Sequence, residues 1–186
     1  MTVETEELSQ LMERYALGDE RVFEPLYRSL APRLYGFCRR LAHGEPEADD
    51  LFQETFLKLH RARGTYVTGA NVLNWAFAIA RSIFLTRLRY WRRRPEQVGA
   101  ADDVAQREDL QPEHIATPEA EVLAGDLLDV AIHELHRMSE KNRLAYILLK
   151  DEGLSAKEAA AILGTTPAVV KQRAHRAYER LRAALS

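Results

Sequence analysis

Apolar residues in this chain return every three or four positions, with polar residues filling the intervals. Phe23, Leu26, Tyr27, Leu30, Leu34, Cys38 and Leu41 form one such stripe, which predicts a helix with a single buried face. Pro32 falls inside it and predicts a kink or a division. A second helix is predicted from about Glu45 to about Arg63, with Pro46 in its first turn and Phe52, Phe56 and Leu59 inward. After the loop GTYVTGAN a third runs from about Val72 to Arg94, with Leu73, Phe77, Ala80, Phe84 and Leu88 at core spacing, and Pro95 stops it. Thr117 before Pro118 reads as the cap and first turn of a helix to about Glu134, and another runs from Ser139 to about Asp151. No stretch alternates with period two and β-branched enrichment, so the predicted fold class is all-α.

The stretch GLSAKEAAAILGTTPAVVKQRAHRA, residues 153–177, adds two helices joined by a short turn. Ser155 and Glu158 have capping-box spacing, and Gly164 suits the left-handed position that ends a helix. Val170, Ala174, Ala177 and Leu181 form the inward stripe of the second helix, and Lys171, Gln172, His175 and Arg176 project from a different side. This is helix-turn-helix spacing, which sets the start of the second helix into a major groove. A helical hairpin with a solvated cationic face has the same spacing.

Charge divides the chain further. Net charge is −3 over residues 1–63, +6 over 64–94, −10 over 95–140 and +5 over 141–186, a pattern hidden by the total of −2. Two basic blocks around an acidic one suggest a polyanion met at two places. Residues 95–117 hold six carboxylates, two prolines and few large apolar groups, which is linker composition. The predicted organisation is therefore a helical domain at 1–94, an acidic linker at 95–117 and a second helical domain at 118–186. No run of about 18 apolar residues or cationic leader is present, so a cytoplasmic protein without membrane insertion is expected. Cys38, alone in an apolar stripe, is expected to be a core thiol. His133 and His136 form an H-x-x-H pair without nearby cysteines, and no metal, cofactor or catalytic residue is expected.

GLSAKEAAAILG closely resembles the GLS-x-x-E-I-A-x-x-L-G pattern opening region 4 of bacterial sigma factors, in the extracytoplasmic-function branch of the sigma-70 family. VKQRAHRA resembles the V-K-x-R-x-H-R-A of their recognition helix. ADDLFQETFLKLHRAR, residues 48–63, resembles the region 2 helix that binds core RNA polymerase, and NWAFAIARSIFLTRLRYWRRR, residues 74–94, resembles its promoter helix. Ser82 and Thr86 replace the usual Asn and Asp of that helix, and Thr165-Thr166-Pro167-Ala168-Val169 carries its proline one place late.

The resemblance implies a non-catalytic specificity subunit whose partners are core RNA polymerase, promoter DNA and an anti-sigma factor. Thr166, Ala168, Lys171, Gln172, Arg173, His175 and Arg176 would meet the minus-35 element. Tyr66, Asn71, Asn74, Trp75, Arg81 and Arg87 would meet the minus-10 element, where aromatic faces can stack on unpaired bases. Asp49, Asp50, Gln53, Glu54 and Leu57 would face the polymerase. A free-standing two-domain DNA-binding regulator is the other reading of the same helices, and a protein that only sequesters partners would leave both basic helices without a role.

Overall fold

The structure is a computed structural model that describes residues 3–93 and 130–185. The linker expected at 95–117, the Thr117 cap and Arg94 lie outside the described residues. The described residues form helices and loops with no strand among them.

The first half is four helices. α1 is Val3–Ala16, with Leu8, Met12 and Tyr15 buried. Asp19 caps a short turn at Glu20–Val22, and α2, Phe23–Leu41, follows directly. Pro32 neither divides nor ends α2. It lies on the exposed side, so the carbonyl left without a partner by its missing N–H faces water rather than the core. α3, Glu45–Ala62, opens with Pro46 in its first turn, and α4, Val72–Arg93, opens where the Asn71 side chain accepts the Asn74 N–H at 3.1 Å. Phe37 of α2 and Phe77 of α4 meet at 4.7 Å between ring centroids, both fully buried, and burial of a side chain this size contributes about 2–3 kcal/mol.

The second half begins with α5, helical over residues 130–136, followed by α6, Glu140–Tyr146. The chain then widens into one π turn at Ile147–Asp151, closed by the Glu152 N–H donating to the Ile147 carbonyl at 2.9 Å. α7 is Ala156–Leu163 and α8 is Pro167–Ala184. Leu135, Met138, Ala177 and Leu181 form a small core where α5 meets α8.

The halves do not stand apart. One continuous cluster of buried side chains runs from α1–α4 into α6–α8. Arg33 and Arg40 of α2 grip Glu152, whose side chain is only 4 % exposed, and Arg40 Nε also lies 3.3 Å from Asp151. Arg92 pairs with Glu140 at 3.0 Å. Arg143, 2 % exposed, lays its guanidinium over the Phe84 ring. The ring of His43, between α2 and α3, packs against that of His136 of α5, with centroids 4.8 Å apart and planes tilted by 49°.

Candidate nucleic-acid interface

The α7–α8 pair is built by its caps. Ser155 Oγ accepts the Glu158 N–H, while the Glu158 carboxylate accepts the Ser155 hydroxyl at 2.6 Å and the Ser155 N–H at 2.9 Å; the hydroxyl bond first, then the N–H bond, holds the carboxyl below its usual range. Gly164 turns the chain at φ 63°, where a β-carbon would be strained. Thr166 caps α8 through the Val169 N–H. Ala159 and Ala160 on α7 and Val170, Ala174 and Ala177 on α8 are buried, and their small side chains let the helices approach closely. The other side of α8 is left for solvent: Thr166, Ala168, Lys171, Gln172, His175 and Arg176 are exposed, and Arg173 is half-buried. Among the described residues Lys171, Arg173 and Arg176 make no ion pair.

The second basic helix is less open. Tyr66 and Trp75 are half-buried against each other, ring centroids 5.5 Å apart, and the Tyr66 hydroxyl donates to the Ala70 carbonyl. Asn71 is committed to the cap of α4. Asn74 Nδ2 donates to Glu158 of α7 at 2.9 Å, and Arg81 donates to the Leu163 carbonyl at 3.2 Å, with burial lowering its pKa. Arg87 reaches back to Glu54 of α3 at 2.8 Å. Of the six residues expected at minus-10 DNA, Tyr66, Asn71 and Trp75 thus gather at one loop, Asn74 and Arg81 face the other half of the molecule, and Arg87 faces α3. Val67, 70 % exposed at the tip of that loop, has no signature in the sequence, because an isolated valine between turn residues belongs to no period.

On α3, Asp50, Gln53, Glu54 and Leu57 share the exposed face expected of them, while Asp49 is half-buried and accepts the Tyr35 hydroxyl at 2.9 Å. Burial, with that bond, pushes the Tyr35 hydroxyl up to about 12. Phe23 and Tyr27 correct the reading of α2: 37 % and 38 % exposed, they lie at the edge of its stripe rather than inside it. With Phe52, Phe56, Leu57 and His60 they line an open apolar groove of about 350 Å³ beside the acidic face. Cys38 is fully buried, its thiol pushed up to about 12 by burial. His133 is exposed while His136 turns toward His43, so the H-x-x-H spacing does not converge on one point. Among the described residues no group of three or more His, Cys, Asp or Glu could hold a metal ion.

The same two halves stand out in comparison with known proteins. The family described as Sigma-70 region 2 matches residues 26–94, and that described as Sigma-70, region 4 matches residues 129–181. The RNA polymerase sigma factor CarQ of Myxococcus xanthus is 37 % identical over 173 residues, covering 92 % of this chain and 93 % of that protein. The RNA polymerase sigma-H factor of Pseudomonas aeruginosa is 31 % identical over 97 % of this chain and 94 % of its own length. Among solved structures, the sigma factor RpoE of Bartonella quintana, in complex with the anti-sigma factor NepR, superposes with a TM-score of 0.68 at 26 % identity, over 88 % of this chain and 96 % of that one. With regions 2 and 4 in order along one chain, and similarity extending over nearly its whole length, the chain belongs to the sigma-70 family as a sigma factor of the extracytoplasmic-function branch.

Proposed function

We propose that the two halves divide promoter recognition between them: α8 reads the minus-35 element as duplex, the 63–71 loop with α4 holds the opened minus-10 strand, and the exposed face of α3 joins core RNA polymerase. The observation that carries this reading is the capped α7–α8 pair, which presents Lys171, Gln172, His175 and Arg176 outward with no ion pair to Lys171 or Arg176 among the described residues. The chain contributes no chemistry of its own in this reading and directs that of the polymerase. Its place is the cytoplasm, where that polymerase works, and no helix of the described residues is long and apolar enough to cross a membrane. An anti-sigma factor is the expected antagonist, since the Bartonella relative is held by one.

Docking of the halves sets a condition on this function. Elements centred at minus-35 and minus-10 lie about 25 base pairs apart, on the order of 85 Å of duplex at about 3.4 Å per pair. Asn74 and Arg81 cannot meet DNA while they hold α7. The described state is thus a closed one that opens when the chain joins polymerase.

The polymerase assignment is tested on α3. Asp50→Arg with Leu57→Asp alters two exposed positions on one face and spares Glu54, which Arg87 needs. Exposed changes away from packing shift stability by about 0.5 kcal/mol, whereas a wrong charge at an interface costs several kcal/mol. The double variant is expected to stay folded by circular dichroism and to lose core polymerase in a pull-down, together with promoter-directed transcription. Normal core binding by the folded variant would instead favour the free-standing regulator.

A further inference from the structure

α1 lies before the matched part of region 2, which begins at residue 26, yet one of its polar faces closes on the loop between α3 and α4. Ser9 and Glu13 are one turn apart on that face. Ser9 Oγ donates to the Ala70 carbonyl at 3.3 Å, and Glu13 Oε1 accepts the Gly69 N–H at 3.0 Å. Between them they hold a tight turn, in which the Ala70 N–H donates to the Val67 carbonyl at 3.0 Å and Gly69 has φ 77°, the position at which a type II turn requires a positive φ. The foot of the loop is tied to α1 as well, because the Arg63 guanidinium lies over the Tyr15 ring. Val67 and Thr68 are left exposed at the tip.

We propose that α1 is a positioning element for promoter opening: Ser9 and Glu13 hold the Val67–Ala70 turn so that Val67 and Thr68 form one wall of the pocket receiving an unstacked minus-10 base. This rests on the reading that the 63–71 loop meets the opened strand. A loop ordered in advance does not spend binding energy on its own ordering, and so discriminates between bases better than a loose one. The sign of the charge separates this role from simple electrostatics. A carboxylate beside a DNA-facing loop repels phosphate, so Glu13 opposes binding through its charge and favours it only through the bond to Gly69.

The test uses the full-length protein and variants reconstituted with core RNA polymerase, on a duplex library randomised across both promoter elements, with the opened members sequenced. Glu13→Ala is expected to flatten base preference at a minus-10 position by roughly tenfold, the effect of losing one charge-assisted hydrogen bond, with minus-35 preference and core binding retained. Glu13→Gln keeps an acceptor oxygen and is expected to restore the preference, while Glu7→Ala, exposed on the same helix, is expected to match the wild type. Ser9→Ala is a second variant, expected to weaken the preference in the same direction, and carries the test if Glu13→Ala fails to fold. Unchanged minus-10 preference in Glu13→Ala, or equal loss of preference at both elements, would overturn the proposal. So would a result in which Ala and Gln at position 13 both tighten DNA binding without changing preference. If Val67→Ala and Thr68→Ala leave minus-10 preference intact, the reading of the loop falls and the role of α1 with it. If those two flatten it and the α1 variants do not, only the positioning role falls.

Discussion

Lys171 and Arg176 stand exposed on the second and third turns of α8 with no ion pair among the described residues, so each charge is available to a phosphate. Lys171→Ala and Arg176→Ala are each expected to weaken holoenzyme binding to promoter duplex and to reduce the slope of log affinity against log salt by about 0.9. Gln172→Ala should leave that slope alone and change which bases are preferred, because a neutral amide reads base edges rather than phosphate charge. Titration of promoter binding at several salt concentrations separates the two behaviours. Arg87 belongs to a different class, because its pairing with Glu54 ties α4 to α3. That pair is partly solvated, so Glu54→Gln is expected to shift stability by no more than about 1 kcal/mol in denaturant unfolding.

The helix-turn-helix depends on its ends as much as on its stripe. Gly164→Ala places a β-carbon at φ 63° and is expected to lower stability by about 1 kcal/mol, a fall in melting temperature of roughly 2–4 °C for a chain of this size. Gly164→Asn, which tolerates that backbone conformation better, should lose less. The Ser155–Glu158 box and Gly164 are legible in the sequence, since capping chemistry is local. α1 is harder to read. Leu8, Leu11, Met12 and Tyr15 are spaced as a helical face, but they sit in a short Glu-rich stretch next to a longer and stronger stripe that masks them. Pro32 shows the opposite case: it does not divide α2, because it sits on the solvent side of that helix.

At the level of the whole molecule, a buried carboxylate flanked by two arginines joins the halves. Glu152→Gln leaves Arg33 without its anion and Arg40 with Asp151 alone, and is expected to weaken docking by about 1–3 kcal/mol, seen as a larger radius of gyration in solution scattering. Docking also depends on pH. Burial first, then Arg143 of α6, His43 of the α2–α3 connection and His133 of α5, lowers the His136 pKa to about 4 from 6.5, against a bond to the Arg39 backbone that raises it. A lowered histidine pKa means that the docked state favours the neutral ring. Arg143 and His133 stay beside His136 when the halves part, whereas His43 and the burial against the end of α2 are lost, so docking weakens as pH falls below about 6.5 toward 4 by that part of the shift alone. The same scattering measured across that window should show opening in the wild type and a smaller change in His136→Gln.

What the sequence alone determined is what short-range physics can encode. A three-to-four-residue stripe specifies a helix and its inner face, and caps specify where it stops, so α2, α3, α4, α6, α7 and α8 and the exposed side of α8 were readable from spacing, and the motifs within them pointed to the family. Only the tertiary structure decided that Asn74 and Arg81 are occupied by α7, that Glu54 is held by Arg87, that Phe23 and Tyr27 open a groove beside α3, and that α1 closes on the 63–71 loop. The hydrogen-bonded pairs among these join residues 33, 56, 82 or 84 positions apart in the chain, and Arg40 and Glu152 are 112 apart. No local period carries such a pairing, because it exists only once several helices have packed and brought one arginine within reach of one carboxylate.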